Sequence, residues 1–296
     1  MWRFVLVSSS PRRRELFRRL IPVFEVVAPE VDEYVEASSP EELVKELALK
    51  KLSSVAVEDG TFYVAADTVV VLGDRVMGKP KDESHAVSML LELSGRVHRV
   101  LTGVAAAKDG DVVCEVEETL VRFHPITGDE ALWYVETYRP LDKAGAYGIQ
   151  DGAELFVESV EGSYSNVVGL PLSLTYRMLK RLGYRPTRWV RLGDVARVVR
   201  SKNAGPFEVT FDVMFGDWES YRRFKEGDFL TPEVFARLYG IPVEDVLVFE
   251  YFDQAMALKI TVKRQVPSGS IGDEDVYAAQ QHLPLFNFMI PWKVYG

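Results

Sequence analysis

The chain has 296 residues, a formal net charge of −9, 47% hydrophobic residues and 27% charged residues. This composition is that of a globular protein, excludes a mainly disordered chain, and at this length favours two domains. The negative charge argues against nucleic acid as a partner, because nucleic-acid binding needs a basic face. No apolar run approaches the roughly 18 to 20 residues of a membrane span, so we expect a cytoplasmic protein without a membrane partner.

Strands and helices alternate along the first part of the chain. Apolar runs predict strands at residues 4–7, 62–66, 69–72, 97–107, 112–123 and 155–160. Capping residues followed by helical periodicity predict helices that begin near Ser10, Ser39, Asp82, Thr127 and Pro171, with a capping box at residues 39–42. The alternation has no strict period, so we expect an α/β domain with a mixed, twisted sheet and flanking helices.

Residues 184–187 are the best candidate linker. Beyond them, strands are expected at residues 195–199, 207–215, 246–251 and 255–262, with a short helix opening at Thr231. The sequence therefore predicts a first domain at 1–186 and a smaller α+β domain at 187–296.

Residues 73–80 nearly match the phosphate loop G-x-x-x-x-G-K-[ST], but Pro80 replaces the hydroxyl residue that would contact magnesium. Gly73 and Asp74 lie between two apolar runs, which is typical of a hairpin turn and not of a strand-to-helix loop. We therefore reject the Walker interpretation and keep Lys79 as a candidate phosphate ligand.

A second candidate for anion binding lies near the start of the chain, where residues 8–13 read Ser-Ser-Ser-Pro-Arg-Arg. This segment joins a strand to a helix, and the N–H groups at a helix N-terminus attract anions. The serine hydroxyls and the guanidinium groups of Arg12 and Arg13 would then surround one phosphate group. An ordinary helix cap with solvated arginines is the alternative.

Carboxylates are the candidate metal ligands, because one cysteine and four histidines give no recognisable metal spacing. Asp67 follows the apolar run 62–66, where a charged group is costly unless a cation, metal or proton accompanies it. Glu30, Asp32 and Glu33 form an acidic loop, and any of them could complete a site for Mg²⁺ or Mn²⁺. A turn cap at Asp67 and a solvated acidic loop are the alternatives.

Over about residues 3–183 the chain resembles the Maf-like nucleoside triphosphate pyrophosphatases. The resemblance rests on ordered motifs: Ser8-x-Ser10-Pro11-Arg12-Arg13, Ala66-Asp67-Thr68, Gly78-Lys79-Pro80, Leu93-Ser94-Gly95, His98 with Thr102-Gly103-Val104, the run Asp142 to Gln150, and Gly169-Leu170-Pro171. It implies a Maf/Ham1-like α/β fold with a cleft between two lobes, often dimeric. It also implies Mg- or Mn-dependent hydrolysis of a nucleotide to its monophosphate and pyrophosphate. The run Asp-Lys-Ala-Gly-Ala-Tyr-Gly-Ile-Gln resembles the branch acting on dTTP, UTP and modified pyrimidine triphosphates.

The resemblance places eight residues of this chain in the site: Ser8, Arg12, Arg13, Glu33, Lys51, Asp67, Lys79 and Gln150. Asp67 is expected to bind metal and activate water, with Glu33 as a second metal carboxylate. Lys79 and the other cations would neutralise the leaving pyrophosphate, and the Gln150 amide would pair with a uracil or thymine edge. Lys51 is chosen over the adjacent Lys50.

The second domain resembles an uncharacterised domain family over about residues 190–290. This resemblance implies no activity. Its Ser268-Gly269-Ser270 turn could bind an anion, and Asp273, Asp275 and His282 could serve a site, although a capped structural loop is the simpler interpretation.

A different class of function also fits the sequence. The protein would then be a nucleotide-binding regulator, related to cell division, in which cleavage is incidental and the second domain contacts a partner.

Overall fold

The computed structural model describes residues 3–32 and 34–295. Its internal contacts divide the chain between Tyr184 and Arg185 into two compact units, called here the N-terminal unit and the C-terminal unit. Independent folding of each unit stays a prediction. The described helices are all too short or too polar for a transmembrane span.

The strands of the N-terminal unit are β1 (Arg3–Val7), β2 (Glu25–Val27), β3 (Thr61–Leu72), β4 (Arg75–Met77), β5 (Val97–Lys108), β6 (Asp111–Phe123) and β7 (Val157–Glu161). They form one sheet in the order β2-β1-β3-β5-β6-β7, with β4 paired to β3. β1 is parallel to both β2 and β3, and the other pairs are antiparallel. The predicted mixed sheet is therefore confirmed, and residues 73–74 form the predicted hairpin turn.

The helices of this unit are α1 (Pro11–Leu20), α2 (Pro40–Leu52), α3 (Glu83–Leu93), α4 (Gly128–Tyr138), α5 (Tyr164–Val168) and α6 (Leu172–Arg181). The side chains of Ser10, Ser39, Asp82 and Thr127 cap their helices as predicted. The capping box at residues 39–42 is only half right. Glu42 accepts from the Ser38 N–H and hydroxyl instead of reaching back to Ser39, because a hydroxyl one residue further out offers it two donors.

One strand differs from its prediction in a way that matters for the site. Two separate strands were expected at 62–66 and 69–72, but β3 runs unbroken through Asp67 and Thr68. These polar residues do not end the strand because their side chains find partners: Asp67 pairs with Lys51, and the Thr68 hydroxyl lies 2.9 Å from that of Thr102 on β5. A satisfied polar group is tolerated inside a sheet.

The C-terminal unit is smaller and rich in strands: β8 (Thr187–Arg191), β9 (Ala196–Asn203), β10 (Glu208–Phe215), β11 (Val246–Phe252), β12 (Ala257–Lys263) and β13 (Met289–Val294). An antiparallel sheet has the order β11-β12-β10-β9, and β13 pairs with β8. The helices are α7 (Leu192–Val195), α8 (Trp218–Glu226), α9 (Pro232–Tyr239) and α10 (Leu283–Phe286).

Two hydrophobic clusters of the N-terminal unit support the region that contains the site. One centres on α3, α4 and the buried rings of Phe123 and Tyr134. The other packs α1 and α6 against β1, with Phe17 and Met178 fully buried. Loops that leave both clusters converge on the same cavity, described next.

Candidate active site

The N-terminal unit contains a cavity of about 570 Å³. Its wall is built from the start of α1, one face of α2, the middle of β3, residues 78–79, the loop 142–150 and the end of α5. Its charged lining residues, within the described part of the chain, are Arg12, Arg13, Lys51, Asp67, Lys79, Asp142 and Lys143. Five cations thus face two carboxylates in a protein whose net charge is −9, which favours an anionic ligand.

The N-terminus of α1 forms one side of the cavity. The Ser10 hydroxyl accepts from the Arg13 N–H and Pro11 is the first helical residue, so the helix begins where Ser9, Ser10 and Pro11 line the cavity. Arg12 and Arg13 lie in the first turn, where the helix dipole also favours an anion. The predicted strand-to-helix anion segment therefore faces the cavity.

The helix α2 contributes Leu43, Leu47 and Lys51, which are spaced by four residues and therefore share one helix face. The adjacent Lys50 lies on a different face, and its ammonium donates to the Tyr34 carbonyl (3.1 Å). Lys51 is only 6% exposed, and its ammonium forms an ion pair with Asp67. The helix period thus brings Lys51 to the cavity.

Asp67 occupies the middle of β3 opposite Gly103 of β5 and is 9% exposed. A Cβ at Gly103 would lie 2.1 Å from the Val44 carbonyl oxygen, so only glycine lets α2 pack this closely on β5. Because α2 also carries Lys51, this close approach brings the ammonium to the Asp67 carboxylate.

Arg13 lines the cavity and is held there by hydrogen bonds from its guanidinium. Its guanidinium donates to the Gly169 carbonyl (2.7 Å) and to the Thr68 hydroxyl (2.9 Å). Gly169 follows α5, which is anchored by the fully buried Asn166, whose amide donates to the Val100 and Glu117 carbonyls (3.0 and 3.2 Å). The sheet therefore positions Arg13 directly, through Thr68 of β3, and indirectly, through α5.

The loop 142–152 carries a network of charges at the cavity edge. The Lys143 ammonium contacts Asp142 (2.8 Å) and Asp151 (3.3 Å), and the Arg12 guanidinium contacts the same two carboxylates (3.1 and 4.0 Å). Burial raises the pKa of Asp142, but the hydrogen bond and charge of Lys143, with the charge of Arg12, bring it below its usual value. The amide of Gln150 donates to Asp151 (2.9 Å).

Buried aromatic groups support this loop from behind. The Gly148 N–H donates to the hydroxyl of Tyr134 (3.1 Å), and burial raises the pKa of Tyr134 to about 12, so it stays neutral. The His98 ring nitrogen Nε2 lies 2.8 Å from the Tyr147 hydroxyl. Burial lowers the pKa of His98 to about 4 and raises that of Tyr147. These residues act as neutral supports near pH 7.

Six of the eight residues expected in the site line the cavity: Arg12, Arg13, Lys51, Asp67, Lys79 and Gln150. Ser8 lies just before the lining residues, buried, with its hydroxyl accepting from the Ser10 N–H (3.2 Å). Glu33 lies outside the described residues. The role of each residue stays a prediction.

Sequence reasoning gave no role to Thr68, Lys143 and Asp151, although Thr68 and Lys143 line the cavity and Asp151 contacts Arg12. A signal was present for two of them, because Thr68 and Lys143 fall inside motifs that carried the family resemblance. Asp151 lies one residue beyond the last motif, and only its contacts reveal it.

The carboxylate content of the cavity bears on the expected metal. The part of the chain that the structure describes brings no three metal-ligating side chains together. Asp67, Asp142 and Asp151 all form ion pairs with cations, and of the three Asp67 is the buried one that lies within the sheet. Mg²⁺ is usually bound by one or two carboxylates together with substrate phosphates, so Asp67 fits an ion that shares its ligands with a phosphorylated substrate.

A cation-lined cavity against the central strand β3 of a mixed α/β sheet defines a protein built to bind a small anionic ligand. Residues 3–182 match the Maf-like protein family, and the chain belongs to that family. Residues 192–289 match a domain of unknown function, DUF4387, so the two are fused in one chain.

Curated relatives match the N-terminal unit nearly over their full length. A protein of Symbiobacterium thermophilum named dTTP/UTP pyrophosphatase is 50% identical over 186 residues, which cover 62% of this chain and 96% of that protein. A protein of Pyrococcus abyssi with the same name is 46% identical, covering 62% of this chain and 97% of that protein. The solved structure of the Staphylococcus aureus Ham1 protein covers 61% of this chain and 99% of its own, with 16% identity and a TM-score of 0.38.

Two candidate residues of the C-terminal unit, Asp273 and Asp275, bind their own loop, whereas the His282 ring nitrogen Nδ1 lies 3.5 Å from the Ser201 hydroxyl of β9. Asp273 accepts from the Arg264 guanidinium and from the Gly269 N–H (2.9 and 2.7 Å), and this ion pair is almost fully buried. The Asp275 carboxylate accepts from the Ala279 N–H (2.9 Å). These contacts are those of a structural loop that is capped by its own polar residues.

Proposed function

We propose that this protein hydrolyses dTTP, UTP and modified pyrimidine triphosphates to the nucleoside monophosphate and pyrophosphate. The observation that carries the proposal is the cavity lined by five cations, one of which, Lys51, forms a buried ion pair with Asp67. The names of relatives that are 41–50% identical over the N-terminal unit support the same activity.

The cations that could contact phosphate groups come from different elements around the cavity. Arg12 and Arg13 lie at the N-terminus of α1, whereas Lys51 and Lys79 come from α2 and from the segment after β4. Cleavage of the α–β phosphoanhydride leaves negative charge on the departing pyrophosphate, and fixed cations stabilise that charge without reorganising. We assign these four residues to that role.

Asp67 is assigned as the residue that binds the metal and accepts a proton from the attacking water. The water oxygen forms a bond to the α-phosphorus, the bond from that phosphorus to the α–β bridging oxygen breaks, and pyrophosphate leaves with the electron pair. A bound Mg²⁺ or Mn²⁺ would supply further neutralisation of phosphate charge. Lys51 holds the Asp67 carboxylate in position through the ion pair.

The remaining assignments rest on the family resemblance. Glu33 is proposed as a second metal carboxylate, with Asp67, Glu33 and Lys79 as the catalytic set, and Ser8 as a phosphate contact. The cytoplasmic location and the homodimer stay predictions of the sequence.

Gln150 is proposed to read the base. Its side chain lines the cavity on the loop that also carries Lys143. An amide can pair with the donor and acceptor groups of a uracil or thymine edge, and a base with the wrong edge leaves those groups unpaired.

The test is a panel of canonical and modified triphosphates, assayed for pyrophosphate release with Mg²⁺ and with Mn²⁺. We expect kcat/KM for UTP and dTTP to exceed that for ATP and GTP by at least roughly tenfold. Equal values across the panel would show that the site does not read the base. Tight nucleotide binding without pyrophosphate release would instead favour the regulatory alternative.

A further inference from the structure

The loop 147–152 fixes the orientation of the Gln150 amide through its neighbour, Asp151. Asp151 N–H donates to the Gly148 carbonyl (2.9 Å), which folds the loop into a turn. A Cβ at Gly148 would lie 2.6 Å from the Asp151 carboxylate, so glycine leaves the space that this side chain occupies. The turn places the Asp151 carboxylate beside the Gln150 side chain.

The carboxylate of Asp151 determines which end of the amide faces it. Its oxygen Oδ2 accepts from Gln150 Nε2 (2.9 Å) and from the Lys143 ammonium (3.3 Å). A carboxylate only accepts hydrogen bonds, so it selects the NH₂ end of the amide and repels the carbonyl end. The cations Lys143 and Arg12 form ion pairs with this carboxylate.

The opposite end of the amide, Oε1, is thereby left for a ligand. No residue in the described ranges 3–32 and 34–295 donates to Oε1, whereas one of the two N–H groups of Nε2 already donates to Asp151. An oxygen acceptor pairs with the N3–H group that uracil and thymine carry between two carbonyls. Cytosine carries a lone pair at N3, so the same pose would set two acceptors against each other.

We propose that Asp151 is a positioning residue that makes the site select uracil and thymine over cytosine by holding Gln150 Oε1 toward the base. The inference rests on the proposed function, because it takes Gln150 as the base reader. Beyond that function, it identifies Asp151 as the residue that orients the Gln150 amide, and cytosine as the base that this orientation disfavours.

The experiment compares kcat/KM for UTP, dTTP and CTP in the full-length protein. In Asp151→Ala the amide loses its acceptor and is free to rotate, so we expect the UTP-to-CTP ratio to fall about tenfold. Asp151→Asn is the matched control, since an amide oxygen in place of Oδ2 still accepts from Gln150 and Lys143, and it should keep most of the ratio. Asp151→Ser, also too short to reach the amide, repeats the test if the alanine variant does not fold.

A double-mutant comparison separates positioning from simple damage to the loop. In a Gln150→Ala background, Asp151→Ala should leave the ratio unchanged, because there is no amide left to orient. Equal losses for UTP, dTTP and CTP in Asp151→Ala would overturn the inference while leaving base reading by Gln150 intact. An unchanged ratio in Gln150→Ala itself would instead refute base reading, and so the proposed role of Gln150.

Discussion

The side chain of Asp67 lies inside the sheet and is 12% exposed, whereas those of Asp142 and Asp151 lie on a loop and are 62% and 38% exposed. A carboxylate within a sheet keeps one fixed position, and its partner Lys51 is equally buried. Catalytic groups need this kind of fixed geometry, because small displacements reduce their effect strongly. Because Asp67 is the more buried and more fixed carboxylate, proton transfer is assigned to it and not to Asp142 or Asp151.

Changing Asp67 to Asn should lower kcat for UTP by on the order of a hundredfold or more, while nucleotide binding persists. The substitution removes charge and basicity but almost no volume. Single-turnover pyrophosphate release and equilibrium binding of UTP measure the two effects separately. Asp74→Asn, at the exposed turn between β3 and β4, is the matched control and should behave like the unaltered protein. Unaltered turnover in Asp67→Asn would rule out its assigned role.

His98 makes stability depend on pH. Burial lowers its pKa from about 6.5 to about 4, so the unfolded chain binds a proton at mildly acidic pH that the folded chain does not. The contribution of His98 to stability is therefore complete above pH 6.5 and is lost as the pH falls toward 4, by on the order of 3 kcal/mol.

The measurement is the free energy of unfolding of the N-terminal unit at several pH values between 7 and 4. His98→Gln should flatten the decline, because glutamine does not titrate and still has polar atoms for the Tyr147 hydroxyl. His124→Gln, at an exposed histidine of the same unit, should keep the original slope. A slope that is the same in all three proteins would contradict this account.

At the scale of elements, the site depends on how closely α2 packs against β5. Gly103→Ala would put a Cβ 2.1 Å from the Val44 carbonyl oxygen and 2.4 Å from its carbon, both main-chain atoms that cannot rotate away. We expect a loss of stability of about 1–3 kcal/mol or more, with lower activity because Lys51 is carried by the same helix. Thermal unfolding and UTP turnover test both effects.

Gly128→Ala is the matched control for this substitution. Gly128 is the first residue of α4, and no atom lies within 4 Å of its Cβ position. Its unfolding temperature and turnover should stay close to those of the unaltered protein. If Gly103→Ala behaves in the same way, the packing of α2 on β5 is not what positions Lys51.

Local signals explain which elements could be predicted. The caps at Ser10 and Thr127 and the hairpin of β5 and β6 depend on neighbouring residues, and the sequence patterns located them correctly. The strand β13 was missed because Pro291 lies within it, and proline argues against a strand unless the strand is short and peripheral.

In the site, too, features set by neighbouring residues could be predicted, and contacts between distant residues could not. The Lys51–Asp67 pair joins residues on α2 and β3, and α2 periodicity indicates the helix face but not its partner. The contact of Arg12 with Asp142 spans 130 residues of sequence, and no local pattern encodes such a distance. Local patterns and family motifs both indicated Arg12 and Asp67, whereas the orientation of the Gln150 amide required the folded loop.

At the scale of the whole molecule, a chain ending at Pro186 should be folded and retain most of the pyrophosphatase activity. The six site residues that line the cavity all precede this point, and β8 and β13, which pair with each other, both lie beyond it. About 186 residues also exceed the size that an autonomous core requires.

Solubility, circular dichroism and UTP turnover should be scored separately for this shortened chain beside the full-length protein. A soluble, folded and inactive product would contradict the placement of the complete site in the N-terminal unit. An aggregated product would contradict independent folding of that unit.

The central claim is that water attacks the α-phosphorus of a pyrimidine triphosphate. The most direct measurement is ³¹P NMR of the products formed from UTP by the full-length protein in H₂¹⁸O. The account predicts UMP and pyrophosphate in equal amounts, with the ¹⁸O label in UMP. Label in pyrophosphate would place the attack on the β-phosphorus, and formation of UDP and inorganic phosphate would show that a different bond is cleaved; either result would contradict the account.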